Sequence, residues 1–355
     1  MLAQGTGFTG RIGLQRLSAV IALQGGLAIR ICIVGAGAIG GFIGARLAAA
    51  GQVTVSALAR GHTLEALRNH GWRVQLADRL VTAPAHAASS AAELGVHDLV
   101  VIAVKGPALT DIARQIGPLL GHDTIVMPAM NGVPWWFCRG IAPFGDEPLQ
   151  SLDPRGEIAR AIPYERVVGC VVYASTSTPE PGLVMHHQGH GLVIGEPAGG
   201  SSARVQSIVD VMTAAGFEAR CSADIRYEIW FKLWGNMTTN PISAITGATG
   251  DRVLADPFVR EFSTRAMTEA AAIGERIGCH VTQSPADRHA ITAKLGAFKT
   301  SMLQDAEAGR PLELDALVTA VHEIGERLGV PTPNIRSLLG LTRLYGRVHG
   351  LYPEG

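Results

Sequence analysis

Apolar residues fall along this chain in two ways, first in short unbroken runs and later in long helical periods. Ile31-Cys32-Ile33-Val34 is an unbroken run that stops at Gly35. A run without alternation predicts a strand covered on both faces, as in a parallel sheet. Ala38 to Ala50, rich in alanine and other small residues, predicts a helix packed on that sheet and ended by Gly51. Val53 to Leu58 predicts the second strand of a βαβ unit. Asp98 to Val104 and Thr124 to Met130 predict two further buried strands, followed by Lys105-Gly106 and Asn131-Gly132. Ligands of open parallel sheets bind beyond the carboxyl ends of the strands, which is where Lys105 and Asn131 stand.

Trp135 to Asp153 reads as a loop punctuated by proline and glycine, and Val167 to Ser175 as a strand. Pro179 to Gly182 is a turn, and Leu183 to Ile194 alternates like a hairpin. From about Ser222 helical periods take over, over Asp224–Asn240, Phe258–Ile277, Ala286–Glu307, Glu313–Leu328 and Ile335–Val348. The expected fold is therefore α/β: a Rossmann-type dinucleotide-binding domain over 29–221, then an all-helical domain over 222–355. Residues 1–28 are expected to be a flexible extension. Arg11 and Arg16 before Leu17–Leu23 faintly resemble a secretory leader, but the apolar stretch is short and runs through Gly25-Gly26 towards the first strand.

Composition narrows the partners. Of 355 residues, 47% are hydrophobic and 17% charged, which supplies a core and excludes a disordered chain. Lysine plus arginine and aspartate plus glutamate are 30 each, so the balance gives no general attraction to nucleic acid or anionic membrane. No apolar run is long enough to span a bilayer. The cysteines, Cys32, Cys138, Cys170, Cys221 and Cys279, form no CxxC pair and fit a reducing compartment, so a cytoplasmic enzyme is expected. His186, His187 and His190 lack the spacing that zinc sites favour, and no metal is expected.

Gly35-Ala36-Gly37-Ala38-Ile39-Gly40 matches G-x-G-x-x-G between predicted strand and helix. The first glycine permits the turn, the second admits the pyrophosphate and the third lets helix and strand pack closely. At the end of the second strand, where an acidic residue would bind ribose hydroxyls, the chain has Arg60. An arginine there could fork onto a 2′-phosphate, so NADP(H) is the expected cofactor; a solvated loop arginine is the alternative. Lys232, Asn236 and Asn240 stand at i, i+4 and i+8, and at about 40° per step they share one helix face. Trp230, Leu233, Trp234 and Met237 surround them. A lysine in an apolar cleft can donate a proton to a developing alkoxide, and asparagines can bind hydroxyls and carboxylates. A snorkelling lysine with asparagines near a helix end is the structural alternative.

With these motifs in order the chain resembles the ketopantoate reductase family. Val104-Lys105, Met130-Asn131-Gly132, the block Arg226 to Pro241, Ser301-Met302-Leu303-Gln304-Asp305 and Gly309 to Asp315 also carry the resemblance, which covers Ile29 to the C-terminus. It implies NADPH-dependent reduction of 2-dehydropantoate (ketopantoate) to pantoate, a step of pantothenate biosynthesis. Lys232 would be the proton donor, Asn236 and Asn240 would bind substrate oxygens, and Ser301 the carboxylate. Glu313 would bind the substrate hydroxyl or the cofactor beside it, and Asn131 both substrate and nicotinamide ribose. Arg60 and Lys105 would hold the 2′-phosphate, and Ala174 would lie against the cofactor. Two departures affect the substrate end: asparagines that family members often carry are absent from Thr246–Gly250 and from around Phe298-Lys299, and the Trp135-Trp136 loop is longer. A paralogue reducing another small 2-oxo acid and a non-catalytic NADP-binding sensor are the rival readings. The helical half could supply the face of a homodimer.

Overall fold

The computed structural model describes residues 29–354; the expectation for 1–28 lies outside them. Two compact units emerge. Among the described residues the first holds 29–104, Gln115–Ala129 and Ile162–Ile225; the second holds Lys105–Arg114, Met130–Ala161 and 226–354. The expected single boundary at 221/222 is thus too simple. The segments leaving the carboxyl ends of two sheet strands belong with the helices, and Val133 N–H, for example, bonds Ala316 O at 2.8 Å.

The first unit is built from β1 (Arg30–Val34), β2 (Thr54–Leu58), β3 (Trp72–Gln75), β4 (Leu80–Ala83), β5 (His86–Ala88), β6 (His97–Ile102), β7 (Leu120–Pro128), β8 (Gly169–Glu180), β9 (Leu183–Gly195) and β10 (Glu218–Ser222). One sheet runs β5-β2-β1-β6-β7 with every pair parallel. Its order reverses between β1 and β6, the switch point where such sheets bind ligands. The unbroken apolar run behaves as expected: Ile31, Cys32, Ile33 and Val34 are all fully buried. Burial pushes the thiols of Cys32 and Cys138 up to about 12, well outside the reactive range.

Of the second sheet, β10-β9-β3-β4 with β8 on β9, the sequence pattern gives β8 and β9 but not β3, β4 or β10. Those three are short, and β3 pairs across a large separation, Arg73 with Leu183. The sheet explains the small-residue helix over Ala38–Ala50. A side chain at Gly44 would overlap the Trp72 ring of β3, and one at Gly41 would come within 2.6 Å of Val184 in β9. The helix packs on both sheets and is apolar all round for that reason.

Beyond β10, in the second unit, the helices are Ile225–Thr246, Gly250–Ala255, Pro257–Arg276, Pro285–Ala293, Ser301–Glu307, Ala320–Leu328 and Pro333–Val348. Three boundaries differ from expectation. The first helix runs through Pro241 to Thr246 rather than ending at Asn240. Proline forfeits one backbone bond there, and the buried neighbours Ile242, Ser243 and Ala244 hold the continuation. The expected Ala286–Glu307 helix is broken at Gly296, where φ is +68°, and restarts on the Thr300 cap, whose hydroxyl accepts from Leu303 N–H at 3.1 Å. Glu313 precedes its helix instead of lying in the first turn, and a π-helical turn, Asp315–Thr319, follows. The tryptophans of the expected loop are core residues: Trp135 is 6% and Trp136 2% exposed, and Phe137 stacks on Trp230.

Candidate active site

The glycine turn divides its labour as the spacing predicts. Gly35 has φ +89°, and a Cβ there would meet Val104 at 2.6 Å. At Gly40 a Cβ would collide with Gly35 O and come within 3.0 Å of Ala103. At Gly37 it would meet nothing within 4 Å. Only the middle glycine faces open space, and it caps the Ala38–Ala50 helix with no side chain on the first amides. Ala36 is buried, and Ala38 and Ile39 are half-exposed at that end. This arrangement fits a pyrophosphate, whose charge complements the helix N-terminus. Arg60 is exposed and caps the next helix, Gly61–His70. Ala174 lies where the β8–β9 register shifts, a bulge that lifts it out of the ladder.

The second unit gathers the polar residues. Lys232 Nζ donates to Asn131 Oδ1 at 2.8 Å. Gly132 makes this position possible. Its φ is +84°, and a Cβ would stand 2.5 Å from Ala316 O, so only glycine lets this backbone lie against the π-helical turn. Lys105 Nζ bonds Asp305, which is almost fully buried and also accepts from Arg310 Nε at 3.0 Å. Gly106 N–H reaches Glu313 Oε1 at 3.3 Å. The Glu313 carboxyl lies above its ordinary value, first because burial strips its hydration. Lys105 and the Gly106 amide oppose that rise, Asp305 adds to it, and Lys232 opposes it as well. Thus Lys232, Asn131, Lys105 and Glu313 are brought together with Asp305.

Lys105 has Asp305 as its partner within the second unit, and Arg60 belongs to the first. Asn240 is 6% exposed and Asn236 half-buried, and among the described residues neither amide has a hydrogen-bond partner. Ser301 is exposed at the first position of the helix that carries Asp305 four residues on, so the two share a face. The sequence reading gave Asp305 and Arg310 no role. The available signal was that same four-residue spacing from Ser301.

A raised carboxyl sets the sign of a pH effect. The folded chain keeps the Glu313 proton at pH values where the unfolded chain has released it. Stability from this group is therefore present below the ordinary 4.5 and is lost as pH rises through the folded value. Glu313→Gln should flatten that loss in a plot of Tm against pH for the ligand-free protein. An unchanged profile would show that Glu313 carries no such proton.

A phosphate-ready glycine turn at the switch point of a parallel sheet, and a lysine–asparagine pair beside a buried carboxyl, define a dinucleotide-dependent oxidoreductase acting on CH–OH groups. The family model described as "Ketopantoate reductase PanE/ApbA" matches residues 31–199, and "Ketopantoate reductase PanE/ApbA C terminal" matches 224–346. The chain belongs to the ketopantoate reductase family. It is 44% identical to a 2-dehydropantoate 2-reductase of Mesorhizobium japonicum over 91% of this chain and all of that one. A solved Ralstonia solanacearum MolK2 protein, presented as a candidate ketopantoate reductase, is 54% identical with TM-score 0.88, over 92% of this chain and all of that one. The ternary structure of D-mandelate dehydrogenase with NADH and anilino(oxo)acetate shares the fold, with TM-score 0.78 at 20% identity over 91% of this chain and all of that one. Among the described residues no helix is long and apolar enough to cross a membrane.

Proposed function

We propose that this protein reduces ketopantoate to pantoate with NADPH, in the cytoplasm and as a step of pantothenate biosynthesis, with Lys232 as proton donor. The observation that carries this reading is the 2.8 Å bond from Lys232 to Asn131, made next to Glu313 in the family's C-terminal region. A bound reduced nicotinamide supplies the hydride. An ammonium has three N–H bonds; Asn131 takes one and so fixes the direction of Nζ. As the 2-oxo carbonyl carbon gains hydride, its oxygen gains charge and takes a proton from Lys232, which leaves a hydroxyl and a neutral amine. Asn236 and Asn240 bind substrate oxygens, and Ser301 binds the carboxylate. Glu313 receives the substrate hydroxyl or the cofactor ribose beside it.

At the cofactor end, the turn from Gly35 to Gly40 cradles the pyrophosphate, Ala174 packs against the cofactor, and Arg60 forks onto the 2′-phosphate. Arg60→Ala should raise the KM for NADPH about 10- to 100-fold, the weight of a charge-assisted bond, with NADH little changed. Equal effects on both cofactors would remove Arg60 from the 2′-phosphate. The decisive experiment follows NADPH and NADH oxidation with ketopantoate and other 2-oxo acids. Turnover of ketopantoate with NADPH is expected. Tight NADPH binding without turnover on any acid would leave an NADP-binding sensor instead.

A further inference from the structure

The lysine helix, Ile225–Thr246, carries a buried glycine, Gly235, in its interior. Glycine there weakens a helix relative to alanine. Arg288 is what requires it. A Cβ at Gly235 would stand 2.6 Å from Arg288 Nε, 2.8 Å from Nη2 and 3.1 Å from Cζ, its three nearest atoms. One turn back, the same guanidinium lies over the Phe231 ring, 5.0 Å from its centroid. Phe231 is fixed in turn by stacking on Tyr227 and Trp234. The helix therefore offers the arginine head group a seat, with the ring as its back and the bare backbone of Gly235 as its base. Arg288 and Phe231 are only half-buried, so the seat keeps an open side.

This seat adjoins the reacting groups. Gly235 stands directly before Asn236, about 60° round the helix and about 4.5 Å along it from Lys232. Cβ positions three residues apart on a helix are about 5–6 Å from each other, so the guanidinium lies within about 9 Å of the Lys232 Cβ. The side chains of Lys232 and Arg288 can meet one small molecule between them. Arg288 is also held from its own side. Its helix, Pro285–Ala293, begins at a capping box in which Ser284 and Asp287 bond each other, and His289 Nε2 meets Thr264 Oγ1 at 3.1 Å.

We propose that Arg288 is a substrate-binding residue, whose guanidinium forks onto the carboxylate of the 2-oxo acid while Lys232 serves the adjacent carbonyl. This rests on the reductase reading above. In a 2-oxo acid the carboxylate is bonded directly to the carbonyl carbon, so a group that anchors it must stand beside the proton donor. A guanidinium lying by its face on a ring still directs its N–H bonds outward in its own plane, the geometry that a carboxylate accepts in pairs. A carboxylate offers about four lone-pair sites, so the fork leaves room for the Ser301 hydroxyl. Arginine adds what serine and asparagine lack, a full positive charge that persists at any working pH.

The test measures NADPH oxidation with ketopantoate, and Tm, in the wild type, Arg288→Met and Gly235→Ala. Arg288→Met keeps an apolar stem against Phe231 and removes the fork. It should raise the KM for ketopantoate about 10- to 100-fold, the weight of a charge-assisted pair, and leave kcat and the KM for NADPH within about threefold. Gly235→Ala favours the helix, but its methyl displaces the guanidinium, so the KM for ketopantoate should rise about tenfold while Tm does not fall. An unmoved KM for ketopantoate in either variant overturns the inference. So does an equal rise in both KM values, which would mark Arg288 as a structural residue. Gly235→Ala decides where Arg288→Met does not fold. Wild-type protein that binds NADPH and turns over no 2-oxo acid is a different failure: it sinks the reductase reading and this inference with it.

Discussion

Lys232→Ala should lower kcat for 2-oxo acid reduction by at least about 10²-fold, within the range for removal of a general acid. The substitution leaves the helix intact, because its anchors lie elsewhere. Trp230, Leu233, Trp234 and Met237 are nearly or fully buried, and Trp234 Nε1 donates to Met267 O at 2.7 Å. Alanine also favours helix. NADPH affinity, read by fluorescence titration, should hold, and Tm should move little. Lys232→Arg sharpens the test. Its guanidinium retains the positive charge but does not give up a proton in a protein, so it should fail nearly as badly. Near-wild-type turnover in either variant would remove Lys232 from the chemistry.

The second large effect separates two glycines of one motif. Gly37→Val should leave Tm close to wild type and weaken NADPH binding by at least about 10²-fold. Its side chain would enter the open space in front of the helix amides, where no protein atom lies within 4 Å and where the phosphates are expected. Gly40→Val should lower Tm and cofactor affinity together, because its Cβ has no room between Gly35 O and Ala103. Thermal melts of the ligand-free proteins, paired with NADPH titrations, distinguish the two. Equal losses of Tm in both variants would contradict the division of roles.

The β1 strand, the helix after it and the glycine turn were legible because short-range rules determine them. An unbroken apolar run, a small-residue helix and a left-handed glycine, Gly51 at φ +69°, each reflect their immediate neighbours. In the second sheet β8, β9 and the turn between them were legible, but β3, β4 and β10 were not, because those strands are too short to show a period and β3 pairs with a strand far away in sequence. In the candidate site, the face shared by Lys232, Asn236 and Asn240 follows from helix geometry alone. The bond from Lys105 to Asp305 does not, since it depends on which segment folds against which. The break at Gly296 and the Thr300 cap could have been read from residue types; the continuation of the helix through Pro241 could not, because packing there overrides local preference. Trp135 and Trp136 look like binding-loop residues in sequence and prove to be core.

The π-helical turn at Asp315–Thr319 gives this chain a stretch whose residues are counted. Ala320 N–H closes on Asp315 O, five positions back. Loss of one residue would let the turn relax to the ordinary spacing and rotate Ala316 O away from Val133 N–H and the Gly132 backbone. Asn131, and with it the direction of the Lys232 amine, would lose its footing without any change in their own identities. The passage from Glu313 to Ala320 acts as a gauge block, and its length is part of the site.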